Sequence, residues 1–364
     1  MLQSDYFGKK IAGDSTDRYL KIRKDDFVYN DRTTKASSFG TIKRLSNYPN
    51  GIVSPIYKCF RFEPNENPDF WEWYFESGSH NPALGGLVNE GARAGRFNIS
   101  VTQFLSTNAW RPDEAEQKKI ADCLDSADAL IEAQGRKVEA LKAHKKGLMQ
   151  QLFPQEGETQ PRLRFPEFEG SGEWDEKSIG DFGQVVTGST PSTADPTLYG
   201  GGIPFVSPAD ISELRYVDET KTTLTAAGFE KTRPIKARSV LFVSIGSTIG
   251  KIAQNVRHCA TNQQINAVIP NAKHSDGFVY FALSNASERI ALLAGRQAVP
   301  IINKSLFSSV RLLVPSLPEQ KRIADCLTSL DDLIAAESQK LGTLKTHKKG
   351  LMQQLFPSVV EDDA

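Results

Sequence analysis

The eleven residues HKKGLMQQLFP occur twice, at His144–Pro154 and again at His347–Pro357. An identity of that length implies a duplicated unit, so the chain has to be read as two copies of one plan. Aligned on it without a gap, Glu116–Pro154 and Glu319–Pro357 share 27 of 39 residues. Alternating steps of four and three from Ile120 pass through Leu124, Ala127, Ile131, Gln134, Val138, Leu141, Lys145, Leu148 and Leu152. From Ile323 they pass through Leu327, Leu330, Ile334, Glu337, Leu341, Leu344, Lys348, Leu351 and Leu355. Both stripes are apolar except at the same two places. This heptad pattern predicts two long helices sharing a narrow seam, with Leu124, Ile131, Val138, Leu141 and Leu148 on one and Leu327, Ile334, Leu341, Leu344 and Leu351 on the other. Pro112 and Pro315 lie just before, and Pro154 and Pro357 just after, as start and stop signals. Two near-identical helices in one chain close naturally about a pseudo-twofold axis, which sets them antiparallel. Each would be ~54 Å long at the usual rise per residue. The alternative, two helices buried separately in their own domains, calls for wider apolar faces than these. Gln134 and Glu337 at mid-seam are expected to fix register at some cost in stability. Cys123 and Cys326 occupy matching repeat positions and read as small buried apolar residues.

The expected plan is α+β: two mainly β globular domains joined by two long helices forming an antiparallel coiled coil. Its parts are a first globular domain at 1–111, a first helix at 112–154, a linker and second domain at 155–315, a second helix at 316–357 and a tail at 358–364. Gln155–Trp174, rich in Pro, Gly and Glu, reads as the connector. Between Trp174 and Pro318 the short runs GIPFVS, SVLFVSIG, KIAQNV and QINAVIP predict short strands in a partly closed barrel, while Phe278–Ala294 reads as a helix. Outside the helices the copies meet again: Gly91-Ala92-Arg93 with Ala294-Gly295-Arg296, Phe104 with Phe307, and, at a different offset, Phe27–Asn30 with Leu241–Ser244. No apolar run is long enough to span a membrane, and no basic-then-apolar leader follows Met1, which points to a cytoplasmic protein with no membrane partner. The four cysteines have neither metal-ligand nor disulfide-framework spacing.

Net charge is zero, but its distribution is uneven. Pro166–Glu230 carries twelve acids and three bases, whereas Lys231–Ser275 carries seven bases and no acid. Arg32–Phe62 carries six bases and no acid. Hydroxyl and amide residues are interleaved with both basic segments, and this mixture suits duplex DNA: cations neutralise phosphates, while Ser, Thr, Asn and Gln read base edges. The candidate contacts are Arg32, Thr34, Lys35, Ser38 and Arg93 in the first half. In the second they are Lys236, Arg238, Ser247, Thr248, Lys251, Gln263 and Arg296. A charge run is more often a solvated face, and a coiled-coil assembly adaptor without DNA contact is the alternative function.

Catalytic signals are weak. SIGSTIGK at Ser244–Lys251 has three residues between its glycines where a phosphate-binding loop has four, and Ile252 stands where a hydroxyl should hold magnesium. HExxH, GxSxG and paired-carboxylate spacings are absent, and the histidines are scattered.

PEQKRIADCLTSLDDLI with LKTHKKGLMQQLFP, its twin at Glu116–Pro154, the lead-in PRLRFPEF followed by EW, and GGIPFVSPADIS, VLFVSIGSTIGK and NQQINAVIP together resemble the specificity subunit of type I restriction–modification systems. DDFVYN, GIVSPIYKCFRF and GARAGRFN resemble another branch of its recognition domains. The resemblance implies two target recognition domains, each reading half of a bipartite DNA sequence, held apart by the antiparallel helices. It implies two modification subunits that bind S-adenosylmethionine and methylate adenine, and two restriction subunits for ATP-dependent translocation and cleavage. No cofactor is expected on this chain, which would be non-catalytic; S-adenosylmethionine, ATP and Mg belong to the partners. The first half departs from the pattern: compared with the second, it has no LRFPEF-type lead-in and lacks the first strands, and so reads as a shortened recognition domain.

Overall fold

The computed structural model describes residues 16–32, 39–87, 99–295 and 299–356. It divides into two compact units, Met1–Gln134 with Lys340–Ala364 and Gly135–Gln339. The long helices, Glu114–Leu152 and Leu317–Leu355, have 39 residues each, and the division falls near the middle of both.

In the first unit, β1 (Leu20–Arg23) pairs with β4 (Asn50–Val53). β2 (Phe27–Asn30) lies between β3 (Thr41–Arg44) and β5 (Lys58–Phe60), antiparallel to both. The inward residues of β2, Phe27 and Tyr29, are fully buried. They meet helix α1 (Pro68–Ser77), which begins where the Asn67 side chain accepts the amides of Asp69 and Phe70. It stops at Gly78, whose φ of 78° is left-handed and favours glycine. α2 (Asn81–Gly85) and α3 (Val101–Leu105) follow, α3 opened by a reciprocal Ser100–Gln103 capping box. Phe70, Trp71, Tyr74, Leu84 and Phe104 complete an aromatic core with Ile120, Ala121 and Leu124 of the first long helix. Leu351, Met352, Leu355 and Phe356 from the end of the second long helix close it. The start of one helix therefore packs on the end of the other.

The second unit opens with β6 (Asp175–Ser178), α4 (Ile179–Phe182) and β7 (Gly183–Thr187). β8 (Tyr199–Val206), β9 (Tyr216–Val217), β10 (Thr222–Leu224) and α5 (Ala226–Glu230) follow. Next come β11 (Val240–Val243), β12 (Ile252–Asn255), β13 (Ala260–Thr261) and β14 (Ile265–Pro270). The last elements are α6 (Asp276–Asn285), α7 (Ser287–Leu292), α8 (Lys304–Ser309) and β15 (Arg311–Val314). The strands form open sheets, β7-β14-β11-β12-β9, β10-β8-β13 and β15-β6, rather than the partly closed barrel expected from their spacing. β11 is buried on both faces: Val240 and Phe242 enter one core, Leu241 and Val243 another, as the two-residue period of a strand requires. The first of these cores holds Phe278, Phe281, Ile323, Ala324 and Leu327 together with Leu152 and Phe153. Here the end of the first long helix packs on the start of the second, the same antiparallel contact made a second time.

Matching side chains mark this repetition. Lys145 pairs with Asp331, and Lys348 with Asp128; both lysines and both aspartates differ by 203, the repeat offset. Each ammonium also lies over a ring, Lys145 over Phe281 at 5.3 Å and Lys348 over Trp73 at 4.2 Å. The buried Gln117 and Gln320 make a second equivalent pair. Gln117 accepts the amide of Asn67, the cap of α1, at 2.9 Å, and Gln320 accepts that of Ser275, the cap of α6, at 3.0 Å. Their amide groups donate to the carbonyls of Pro112 and Pro315 at 3.1 and 2.9 Å.

All ten predicted seam residues are buried or half-buried: Leu124, Val138 and Leu327 fully, and Ile131, Leu141, Leu148, Ile334, Leu341, Leu344 and Leu351 partly. Two expectations need correction. Cys123 is exposed and Cys326 half-buried, because each sits one residue before a seam leucine and so off the stripe. Phe278–Ala294 is two helices, since the α6 helix stops at Ala286 and α7 starts anew. SIGSTIGK, set aside as a phosphate-binding loop on its spacing, is the connection of the β11–β12 hairpin, Val243 and Lys251 bonding across it, so no helix follows to present amides to a phosphate.

Leu124→Ala is expected to cost about 2–5 kcal/mol, read as a lower urea midpoint, because its site is fully enclosed. Gln320→Ala strands the Ser275 amide and the Pro315 carbonyl and should cost about 1–3 kcal/mol in the same assay. In the first unit, burial pushes His80 down from 6.5 to about 4. Between those values the unfolded chain binds a proton that the folded chain does not, so this contribution is present above pH 6.5 and lost as pH falls towards 4. His80→Phe should flatten that part of the stability profile.

Candidate nucleic-acid interface

The five-stranded sheet of the second unit gathers four connections at one of its ends. Thr187 at the end of β7 faces Asn266 near the start of β14, Ile265 faces Val243 at the end of β11, and Phe242 faces Ile252 at the start of β12. The turns leaving these strands, Gly188–Thr190, Thr261–Gln264 and Ser244–Lys251, are therefore neighbours. A buried relay holds them: the Thr187 hydroxyl donates to Asn266 Oδ1 at 2.6 Å, and Asn266 Nδ2 donates to Ser244 Oγ at 2.9 Å. Ser244 N donates to the Gln264 carbonyl at 2.7 Å. Gly188 is required here, since a Cβ would collide with Thr261 and the Asn262 carbonyl. Pro300–Ile302 joins the group, its Pro300 carbonyl accepting Gly246 N at 3.0 Å and its Ile302 amide donating to the Ser244 carbonyl at 2.8 Å.

Three of the predicted contacts, Ser247, Thr248 and Gln263, sit on this edge, Ser247 and Gln263 exposed and Thr248 half-buried. Thr190, which sequence reasoning passed over, donates to Gln263 Oε1 at 2.8 Å and so orients the amide. Its signal was the polar run TGSTPST at Thr187–Thr193. Lys251 immediately precedes β12 at the same edge, exposed, with Nζ donating to the Ile211 carbonyl at 3.3 Å. The edge offers hydroxyl and amide groups beside the Lys251 ammonium, the composition that reads bases and touches phosphate.

Lys236 and Arg238 are not part of it. They precede β11 and lie at the opposite end of that strand, where Arg238 pairs with Asp276 at the start of α6. Arg257 is likewise engaged, with Asp218 at 2.7 Å and the Gly202 carbonyl at 2.7 Å, and Arg233 donates to the Thr187 carbonyl at 2.8 Å. The first unit shows the same effect more strongly. Arg44, largely buried, meets Asp25, Asp69 and Glu72; Lys43 meets Glu76, Lys58 meets Asp31, and Arg61 meets Asp26. Lys43, Arg44, Lys58 and Arg61 in one acid-free segment, and Arg238 and Arg257 in the other, are thus paired with acids from elsewhere in the chain. Arg32 is exposed in the connection after β2, which matches in position the β11–β12 connection. Thr34, Lys35, Ser38, Arg93 and Arg296 lie outside the described residues, as do Gly91 and Ala92.

Residues 171–346, which hold this edge, match the family described as the type I restriction modification DNA specificity domain. The chain is similar to type I specificity subunits. It is 31% identical over 148 residues to the HindI specificity subunit of Haemophilus influenzae, covering 39% of this chain and 32% of that one. It is 30% identical over 167 residues to the MjaIX specificity subunit of Methanocaldococcus jannaschii, covering 44% and 39%. The match therefore spans about a third of the length of these curated relatives. The fold extends further: the S subunit of a type I restriction–modification system from M. genitalium superposes with a TM-score of 0.58 at 16% identity, over 95% of this chain and 86% of that one. A chain from a structure of type I system assembly and conformational transition gives 0.60 at 16%, over 95% and 85%. Among the described residues no helix is long and apolar enough to cross a membrane, and no group of three or more metal-ligating side chains occurs.

Proposed function

We propose that this chain is the DNA-sequence-reading subunit of a type I restriction–modification complex. The observation that carries the reading is the edge that brings Ser247, Thr248, Gln263 and Lys251 together inside a domain of the DNA-specificity family. In this reading Ser247, Thr248, Gln263 and Arg296 contact base edges, oriented by Thr190, and Lys251 contacts phosphate. The first unit reads the other half of a bipartite target through the connection that carries Arg32, Thr34, Lys35 and Ser38, with Arg93. The paired long helices are the spacer between half-sites and the surface on which two modification and two restriction subunits dock. The chain contributes recognition and no bond chemistry; S-adenosylmethionine, ATP and Mg act on the partners, in the cytoplasm.

Lys251→Ala should reduce the slope of log K against log salt for duplex binding by about 0.9, the value of one lost phosphate contact. Arg238→Ala should leave that slope unchanged, because its charge is committed to Asp276. A changed slope for Arg238→Ala with an unchanged one for Lys251→Ala would place the interface at the wrong end of the sheet. The second reading, a coiled-coil adaptor without DNA contact, draws on the internal pairing of Arg238, Arg257, Arg44, Lys58 and Arg61. Duplex binding by the chain with its modification subunits, together with a bipartite methylated motif in a genome carrying the gene, separates the two.

A further inference from the structure

Beside its polar turns, the edge of the second unit carries an apolar strip that hydrogen bonding to bases leaves unused. Past the end of β11, Ile245 pairs antiparallel with Ile301 in an isolated bridge. The Pro300 carbonyl accepts Gly246 N at 3.0 Å, and Ile302 N donates to the Ser244 carbonyl at 2.8 Å. Asn266 Nδ2, the middle of the buried relay, also reaches the Ile302 carbonyl at 3.3 Å. Around such a bridge successive side chains point to opposite faces. Ser244 and Ile302 are the inward pair, at 2% and 1% exposed. Ile301 is the outward residue at 44%, with Ile245 half-buried across from it on the same face and Val299, 61% exposed, two residues before.

The fold does not use these outward side chains. Among the described residues Ile302 joins the core of Phe242 and Phe307, whereas Ile245, Val299 and Ile301 join no hydrophobic cluster. Their neighbours are the groups of the reading edge. Ser247 and Thr248 follow Ile245 in the same turn, and Gln264, next to Gln263, donates to the Ile245 carbonyl at 3.4 Å. In the major groove a base-pair edge presents donors, acceptors and one apolar group, the C5-methyl of thymine. An apolar strip set among base-reading amides and hydroxyls therefore has one complementary group on the duplex.

We propose that Ile301, with Ile245 and Val299 beside it, is a thymine-reading residue that packs on the C5-methyl group of a thymine in the half-site of the second unit. The contact rests on DNA reading by this edge, proposed above, and adds the identity of one base. Cytosine in the same place would set its N4 amino group against aliphatic carbon, a donor stripped of water with no acceptor. The backbone bonds from Ser244 and Gly246 to the Pro300–Ile302 segment hold the strip in register with the turn that carries Ser247 and Thr248.

The test removes the methyl group from the DNA and the side chain from the protein in one cycle. Synthetic duplexes carry the motif mapped by methylation in a genome with this gene, each thymine replaced in turn by deoxyuridine, which pairs identically. They are titrated with the full chain in complex with its modification subunits. At one thymine the deoxyuridine duplex should bind about three- to fivefold more weakly, the worth of one methyl group removed from water. With Ile301→Ala, an exposed and conservative truncation, that penalty should vanish. With Val256→Ala, equally apolar and 47% exposed but just past the other end of β12, it should persist. Specific binding with no deoxyuridine penalty that Ile301→Ala abolishes overturns the contact and leaves DNA reading standing. Equal weakening of both duplexes by Ile301→Ala, the behaviour of a wedge between base steps, also overturns it. A motif duplex bound no more tightly than a scrambled one removes DNA reading and the contact together.

Discussion

The contact on which the architecture rests is the crossing of two lysines with two aspartates along the helical seam. Lys145–Asp331 and Asp128–Lys348 are the same pair made twice, and they exist only if the helices run in opposite directions. In a parallel, in-register pair Lys145 would face Lys348 and Asp128 would face Asp331, four half-buried charges set against their like. Leucines alone would tolerate either direction. The polar interruptions give up some stability and in return exclude the wrong topology. Each ammonium keeps its stem in the seam and is covered by an aromatic ring, which offsets the desolvation that makes an isolated buried ion pair a weak contributor.

Those rings also tie the globular parts to the helices. Trp73 belongs to α1 and Phe281 to α6, and the caps of these same two helices donate to Gln117 and Gln320. A helix held both at its cap and by a ring further along has little freedom to rotate on the long helix beneath it. In the second unit Arg215 adds a further tie, stacked on Tyr280 and Phe281 and donating to Thr328 at 2.6 Å. The strand β11 packs on α6 through Phe242, Val240 and Phe278, so the orientation of the Ser244–Lys251 turn is inherited from the long helix through two layers of core.

Charge density along a sequence and charge on a surface are different quantities in this protein. Lys231–Ser275 and Arg32–Phe62 contain no acid, yet most of the cations in them that the structure describes with a partner meet a carboxylate from another segment. Pairing across distant segments is what a compact fold does with opposite charges, because burying one alone costs far more than burying two together. Of the second-half candidates, Ser247, Thr248, Lys251 and Gln263 remain together on one edge, while Lys236 and Arg238 fall at the other end of the strand.

The amino-acid sequence by itself determined the helices, their seam and their duplication, because a heptad stripe and a 27-of-39 identity are local, periodic signals that survive without any knowledge of neighbours. It also marked β2 and β11 as matching strands and Phe104 and Phe307 as matching core residues, both buried. The tertiary structure alone decided what the polar seam positions do, since Lys145 and Lys348 find their aspartates on the other helix, and what Gln117 and Gln320 hold. It decided too that Cys123 faces outward, that α6 ends at Ala286, and that the SIGSTIGK turn is a hairpin connection. Each of these depends on contacts between residues far apart in the chain, and composition and spacing carry no record of which distant partner a side chain will meet.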